Sequence, residues 1–225
     1  MAWFARNGLT ESPRYLARRP SGGGWQQLTH RPYRSRLLAA GGALFLGSAF
    51  LGPAVELANR YLDHERIFSP SRISILLAAS SIPFLPMAVI GGRLADQIGR
   101  KPVAGTSITG AALCYGGFFL TTSPWIWIWI FGPLGSSFAA PAYAAVKVYA
   151  TELFPTRIRA RSSAVVQAMG VAGAAMGLVL AGWFAHPSIG AGIAKLAGLG
   201  IAAAVVVAIG LPETARLELE IINDG

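Results

Sequence analysis

Long apolar runs alternate with short clusters of charge along this chain, and the length of the runs decides the element type. Apolar stretches cover residues 37–58, 73–92, 102–121, 124–146, 162–184 and 189–211. Each is close to the ~20 residues an α-helix needs to cross ~30 Å of hydrocarbon. Backbone N–H and C=O groups in hydrocarbon must pair within their own segment, so runs of this length predict helices. The ten-residue alternation of a membrane β-barrel is absent. The expected fold is an all-α membrane protein, a six-helix transmembrane bundle over 37–211. Residues 1–36 and 212–225 flank it on one side of the membrane.

Composition supports a membrane class and excludes several others. Of the 225 residues, 53% are hydrophobic and 13% charged, against about 25% charged in a soluble domain. The net charge of +9 would suit a nucleic-acid partner only if it were gathered on one face. Instead seven arginines lie in the first 36 residues. Arg93, Arg100 and Lys101 stand against Asp96, and Lys147, Arg157, Arg159 and Arg161 stand against Glu152. The alternate connections at 122–123 and 186–188 carry no Lys or Arg, and 59–72 mixes both signs. That is the cytoplasmic bias of cations. It predicts a multi-pass plasma-membrane protein with both termini in the cytoplasm, partnered by the lipid bilayer and not by nucleic acid. No continuous apolar core precedes residue 37, so no cleaved signal peptide is expected.

Catalytic chemistry finds no foothold. Cys114 is the sole cysteine, which excludes an internal disulfide and a thiolate metal site. His30, His64 and His186 are far apart and lack metal-ligand spacing. Gly105 and Gly110 lack the Lys-Ser/Thr that completes a phosphate loop. No catalytic residue, metal or cofactor is expected.

Within the spans, small residues and breakers carry the information. Gly173-x-x-x-Gly177 and Ala194-x-x-x-Gly198 permit close helix approach, although Gly and Ala are common throughout. Gly52-Pro53, Ser80-Ser81-Ile82-Pro83 with Pro86, and Gly132-Pro133 with Pro141 interrupt three spans. Such breaks are tolerated at membrane depth where they line a cavity, which makes Pro83 a candidate wall residue. Glu56 is the one acid inside a span, suited either to a proton relay or simply to water at a helix end. Lys147 either attracts a carboxylate or phosphate in the cavity or snorkels to the interface about one turn away. Trp125, Trp127 and Trp129 fit an interfacial belt, and Lys195 an interfacial anchor.

Four separated motifs then narrow the class. The second and third spans are joined by Gly91-Gly92-Arg93-Leu94-Ala95-Asp96-Gln97-Ile98-Gly99-Arg100-Lys101. Glu152-Leu153-Phe154-Pro155-Thr156-Arg157-Ile158-Arg159-Ala160-Arg161 follows the fourth span. Leu211-Pro212-Glu213-Thr214-Ala215-Arg216 follows the last, and Glu11-Ser12-Pro13-Arg14-Tyr15-Leu16 lies near the start. In this order they resemble the cytoplasmic motifs of the major facilitator superfamily, in its sugar-porter-like and metabolite–proton symporter branch. The resemblance covers nearly the whole chain from Leu9 onward. It implies a secondary carrier with alternating access, a small-molecule substrate and a coupling proton.

In such carriers twelve helices form two six-helix halves around a cavity. Glu11–Leu16 would match the end of the sixth helix, so the chain resembles the C-terminal half, completed by a separate N-terminal half or by a homodimer. The rival expectation is a non-transporting membrane protein or scaffold. Physically, Gly92, Arg93, Asp96, Gly99, Arg100, Lys101, Glu152, Arg157, Arg159, Glu213 and Arg216 make a latch of ion pairs that can be made in one conformation and broken in another. The plainer expectation is that they only set topology. Two sugar-porter features are missing: residues 37–58 hold no Gln-Gln pattern, and the position of the usual Trp, five residues before Glu152, is Lys147.

Overall fold

In a computed structural model, which describes residues 28, 30–122, 126–155, 158–186 and 188–214, the chain is a bundle of helices. They are α1 (Arg31–Glu56), α2 (Ala58–His64), α3 (Pro70–Ser81), α4 (Phe84–Ile98), α5 (Arg100–Leu120), α6 (Ile126–Glu152), α7 (Arg159–Phe184) and α8 (Ile189–Gly210). Among the described residues, five stretches are long and apolar enough to cross a membrane: 33–56, 70–98, 100–120, 159–184 and 189–210. The remaining expected span, 124–146, falls on the 27-residue α6. There Pro133, Pro141, Ser136, Ser137, Trp127 and Trp129 dilute the aliphatic run.

Several boundaries differ from the apolar runs. The second span is two helices, α3 and α4, because Pro83 has no N–H to continue the ladder and the chain bends at Ile82–Pro83. The expected charged loop at 93–101 is almost entirely helical. Only Gly99 separates α4 from α5, at φ +126° and ψ 148°, a conformation that L side chains avoid. Likewise α6 continues six residues beyond Val146 to Glu152.

Packing follows an open ring. Helix α1 lies along α7 and α8, α5 along α8 and α6, and α4 with α3 along α6. Two buried clusters divide the interior. One, near the Arg100 end, gathers Ala104, Val146, Phe154, Ile158, Val207 and Leu211. The other, near the opposite end, gathers Phe50, Tyr61, Leu76, Phe118, Phe119 and Ile193.

Helix approach is closest where α1 meets α7. A Cβ at Gly173 would overlap the Phe45 carbonyl oxygen, and one at Gly177 that of Ala49. Gly52 faces Ala174 from the other helix. With lipid as apolar as any side chain, such backbone proximity is what holds two helices together. The second small-residue pair behaves otherwise. Gly198 faces open space, and the tight glycines of α8 are Gly190, Gly192 and Gly200. Spacing alone does not say which face of a helix meets a neighbour.

Polar clamps secure the end opposite Arg100. The Tyr61 hydroxyl lies 3.4, 3.2 and 3.3 Å from the carbonyl oxygens of Phe118, Phe119 and Thr121, its single proton shared among them. Arg66 donates from Nε to Tyr61 Oη at 2.9 Å and from Nη1 to the Thr122 carbonyl at 2.9 Å. Burial pushes the Tyr61 phenol above its usual range, against the opposing pull of Arg66, and it stays a donor. Glu65 accepts the first backbone N–H groups of α8, from Ile189 and Gly190. Ser188 accepts from the Ala191 N–H at 3.0 Å. These acceptors use amides that have no intrahelical partner.

Gly177→Leu is therefore expected to cost about 1–3 kcal/mol or more by forcing α1 and α7 apart. Gly198→Ala, in open space, should change the detergent-solubilised melting temperature little. Thermal unfolding followed by size-exclusion chromatography checks both.

Candidate functional site

The charged end of the bundle is assembled around the one-residue break at Gly99. Helix α5 begins there with N–H groups that have no partner in their own helix. The Glu213 carboxylate, arriving just past the C-terminus of α8, supplies one. Its Oε1 accepts from Arg100 N at 2.9 Å and its Oε2 from Lys101 N at 3.1 Å. The Thr214 N–H also donates to Oε1, at 3.0 Å. A carboxylate at this point meets the positive end of the α5 dipole as well as two donors. Gly99 makes room for it, since a Cβ there would sit 2.8 Å from Glu213 Oε2.

Arg100 is the hub of the side chains. Its Nη1 pairs with Glu152 Oε2 at the end of α6, and its Nη2 lies 3.4 Å from Asp96 Oδ1, one turn back on α4. Arg100 and Glu152 are only 16% and 21% exposed, whereas Asp96 is 71% exposed. The buried pair therefore outweighs the exposed one, which solvent screens. Four helices meet at this point: α4 brings Asp96, α5 brings Arg100, α6 brings Glu152, and the end of α8 leads to Glu213.

Not all of the expected residues join. Glu152 pairs with Arg100, while Arg159 Nε reaches the Phe154 carbonyl at 3.5 Å. Lys101 contributes its backbone N–H, Arg93 is exposed without an ion pair among the described residues, and Gly92 faces open space. The tight glycine is its neighbour Gly91, where a Cβ would overlap Pro141 of α6. Arg157 and Arg216 lie outside the described residues.

The three candidate substrate or proton positions lie apart. Glu56 is the last, exposed residue of α1. Pro83 is half-buried at the α3–α4 bend. Lys147 is exposed on α6, its Nζ 4.2 Å from the ring centroid of Tyr143 one turn earlier. Between the two buried clusters a cavity of about 70 Å³ separates α1 from α6, lined by Leu44, Ser48, Leu51, Ile108, Ala139 and Tyr143 among others. Tyr143 thus touches both this cavity and Lys147.

The sequence signature of the Major Facilitator Superfamily matches residues 37–221, spanning every element of this geometry from α1 through Glu213. The chain belongs to the major facilitator superfamily. It is 30% identical over 176 residues to human synaptic vesicle glycoprotein 2B and 31% identical over 176 residues to the rat protein. Each match covers 76% of this chain and 24% of the relative, so the chain spans about a quarter of the length of the curated relatives it matches. With its apolar helices, this superfamily member is a membrane protein of a transporter family.

Two stability outcomes follow. Gly99→Ala combines a disfavoured φ with contact to Glu213, and Glu213→Ala leaves two α5 amides unpaired; each is expected to cost about 1–3 kcal/mol. Arg100→Gln should destabilise more than the Arg100→Gln/Glu152→Gln pair, because the single change strands a largely buried carboxylate. Denaturation of the purified variants in one detergent measures both.

Proposed function

We propose that this chain forms the six-helix half of a secondary carrier that moves a small organic metabolite across the plasma membrane by alternating access, coupled to a proton. Helix α6 supplies the fourth of its six spans, and both termini are cytoplasmic. The observation that carries the reading is the Arg100 cluster. It ties the ends of α4, α5, α6 and α8 through one buried ion pair and one carboxylate cap. A few such contacts, made or broken together, bias two packings of the same helices.

In this reading Asp96, Gly99, Arg100, Lys101, Glu152 and Glu213 hold the cytoplasmic end closed, and Gly92, Arg93, Arg157, Arg159 and Arg216 flank them in the same motifs. Opening separates Glu152 on α6 from Arg100 on α5, while Gly99 serves as the hinge between α4 and α5. The cavity between α1 and α6 is the substrate wall; Lys147 lies one turn along α6 from its lining residue Tyr143, while Pro83 and Glu56 lie away from it, Glu56 as the proton carrier at the end of α1. The activity is transport and not catalysis. A separate N-terminal half or a second copy supplies the facing wall. The stretch 70–98 is only 11% buried and 159–184 only 28%, leaving two apolar faces for such a partner or for lipid.

Reconstitution into liposomes tests this directly. Uptake of an organic acid driven by an imposed proton gradient is expected from the chain with its partner half or as a dimer. Glu152→Gln, which breaks the largely buried pair, is expected to slow it by roughly tenfold, the scale of a 1–2 kcal/mol bias on a two-state equilibrium, and Asp96→Asn, at an exposed contact, by less. Absence of uptake in every assembly would favour the scaffold reading. Cysteines placed at Thr122 and Ser188 should react with impermeant reagents from outside intact cells, and a cysteine at Ala160 only from inside.

A further inference from the structure

The cavity between α1 and α6 is chemically one-sided. Among its lining residues Ser48 and Tyr143 carry the only side-chain hydroxyls, Gly47 and Gly200 add no side chain, and the rest are apolar. A sugar placed there would find only two hydroxyl partners on the protein side, and each of its hydroxyls set against the apolar lining without one costs about 1–3 kcal/mol. An organic cation would find no acid among those residues, since Glu56 sits exposed at the end of α1. Just outside that lining, one turn along α6 from Tyr143, stands the Lys147 ammonium. It rests over the ring of Tyr143, a lining residue, and makes no ion pair among the described residues.

Building on the carrier reading above, we infer that the substrate is an amphipathic organic monoanion: a carboxylate on a compact hydrocarbon or aromatic body. One edge of the body rests in the half-open depression of about 70 Å³ among Leu44, Leu51, Ile108 and Ala139, and the carboxylate reaches toward Lys147. Tyr143 supplies a ring face that the ammonium already favours and a hydroxyl for the acid's second oxygen. The same geometry explains why an ammonium replaces the aromatic platform of a sugar site at position 147.

Binding tests this separately from transport. The full chain is placed in nanodiscs of uncharged phosphatidylcholine and titrated calorimetrically with benzoate, benzyl alcohol and glucose. Saturable benzoate binding is expected, weaker by about tenfold in Lys147→Gln, the loss of one charge-assisted contact, and largely kept in Lys147→Arg. Benzyl alcohol, matched in shape and uncharged, should bind both forms alike. Lys147 is exposed, so the change leaves the fold intact, and the melting temperature verifies that. Absence of benzoate binding, equal benzoate affinity in Lys147→Gln, or glucose binding as tightly as benzoate overturns the assignment. Equal affinity would instead place the ammonium at the lipid interface. If benzoate binds as expected but no assembly transports it, the carrier reading fails while the site stands.

Discussion

Glu213 accepting the backbone N–H groups of Arg100 and Lys101 is the contact on which the rest depends. It joins residues 113 and 112 positions apart and ties the exit of the last helix to the entrance of the third long one. Without it the amides at the start of α5 would face a partly buried environment unpaired, and the loop after α8 would have no fixed position. Because the acceptor is charged and the donors sit at the positive end of a helix dipole, the contact is stronger than an ordinary hydrogen bond. It also fixes where the Arg100 side chain starts, so that Nη1 meets Glu152 and Nη2 meets Asp96.

The opposite end repeats the same physics with different residues. Glu65 accepts from the first amides of α8, and Tyr61 with Arg66 engages the carbonyls that end α5. Helix α8 is therefore held by a carboxylate on its own first amides at one end, and at the other it delivers a carboxylate to α5. Between these anchors the helices meet through small residues, most closely Gly173 and Gly177 against α1. Polar clamps at both ends of a glycine-packed bundle leave the middle free to hold an apolar cavity.

How much of this was legible follows from the range of each signal. Apolar run length is local, and it located the membrane-length helices to within a few residues. It could not show that α4 runs through Arg93 and Asp96 to Ile98, because charged residues at a helix end look the same as a charged loop. The glycine pair at 173 and 177 was readable as a packing face; Ala194 and Gly198 gave the same pattern, yet Ala194 packs against the Tyr61-end cluster while Gly198 meets open space. Arg100 and Glu152 were both readable as latch residues, but no spacing paired them, because fold topology and not sequence separation brings α5 to the end of α6. The Gly91–Pro141 contact had no signal beyond the glycine doublet itself. Glu213 stood out as a charged residue after the last span, but its partners, two backbone amides, carry no side-chain signature.

Hydrogen–deuterium exchange at the amides of Arg100 and Lys101, resolved in the intact chain in detergent, tests the central contact most directly. The account predicts slow exchange in the native protein and selective acceleration at these two amides in Glu213→Gln, with the middle of α5 unchanged. Fast exchange at both positions in the native chain, or identical rates with and without the Glu213 carboxylate, would contradict it.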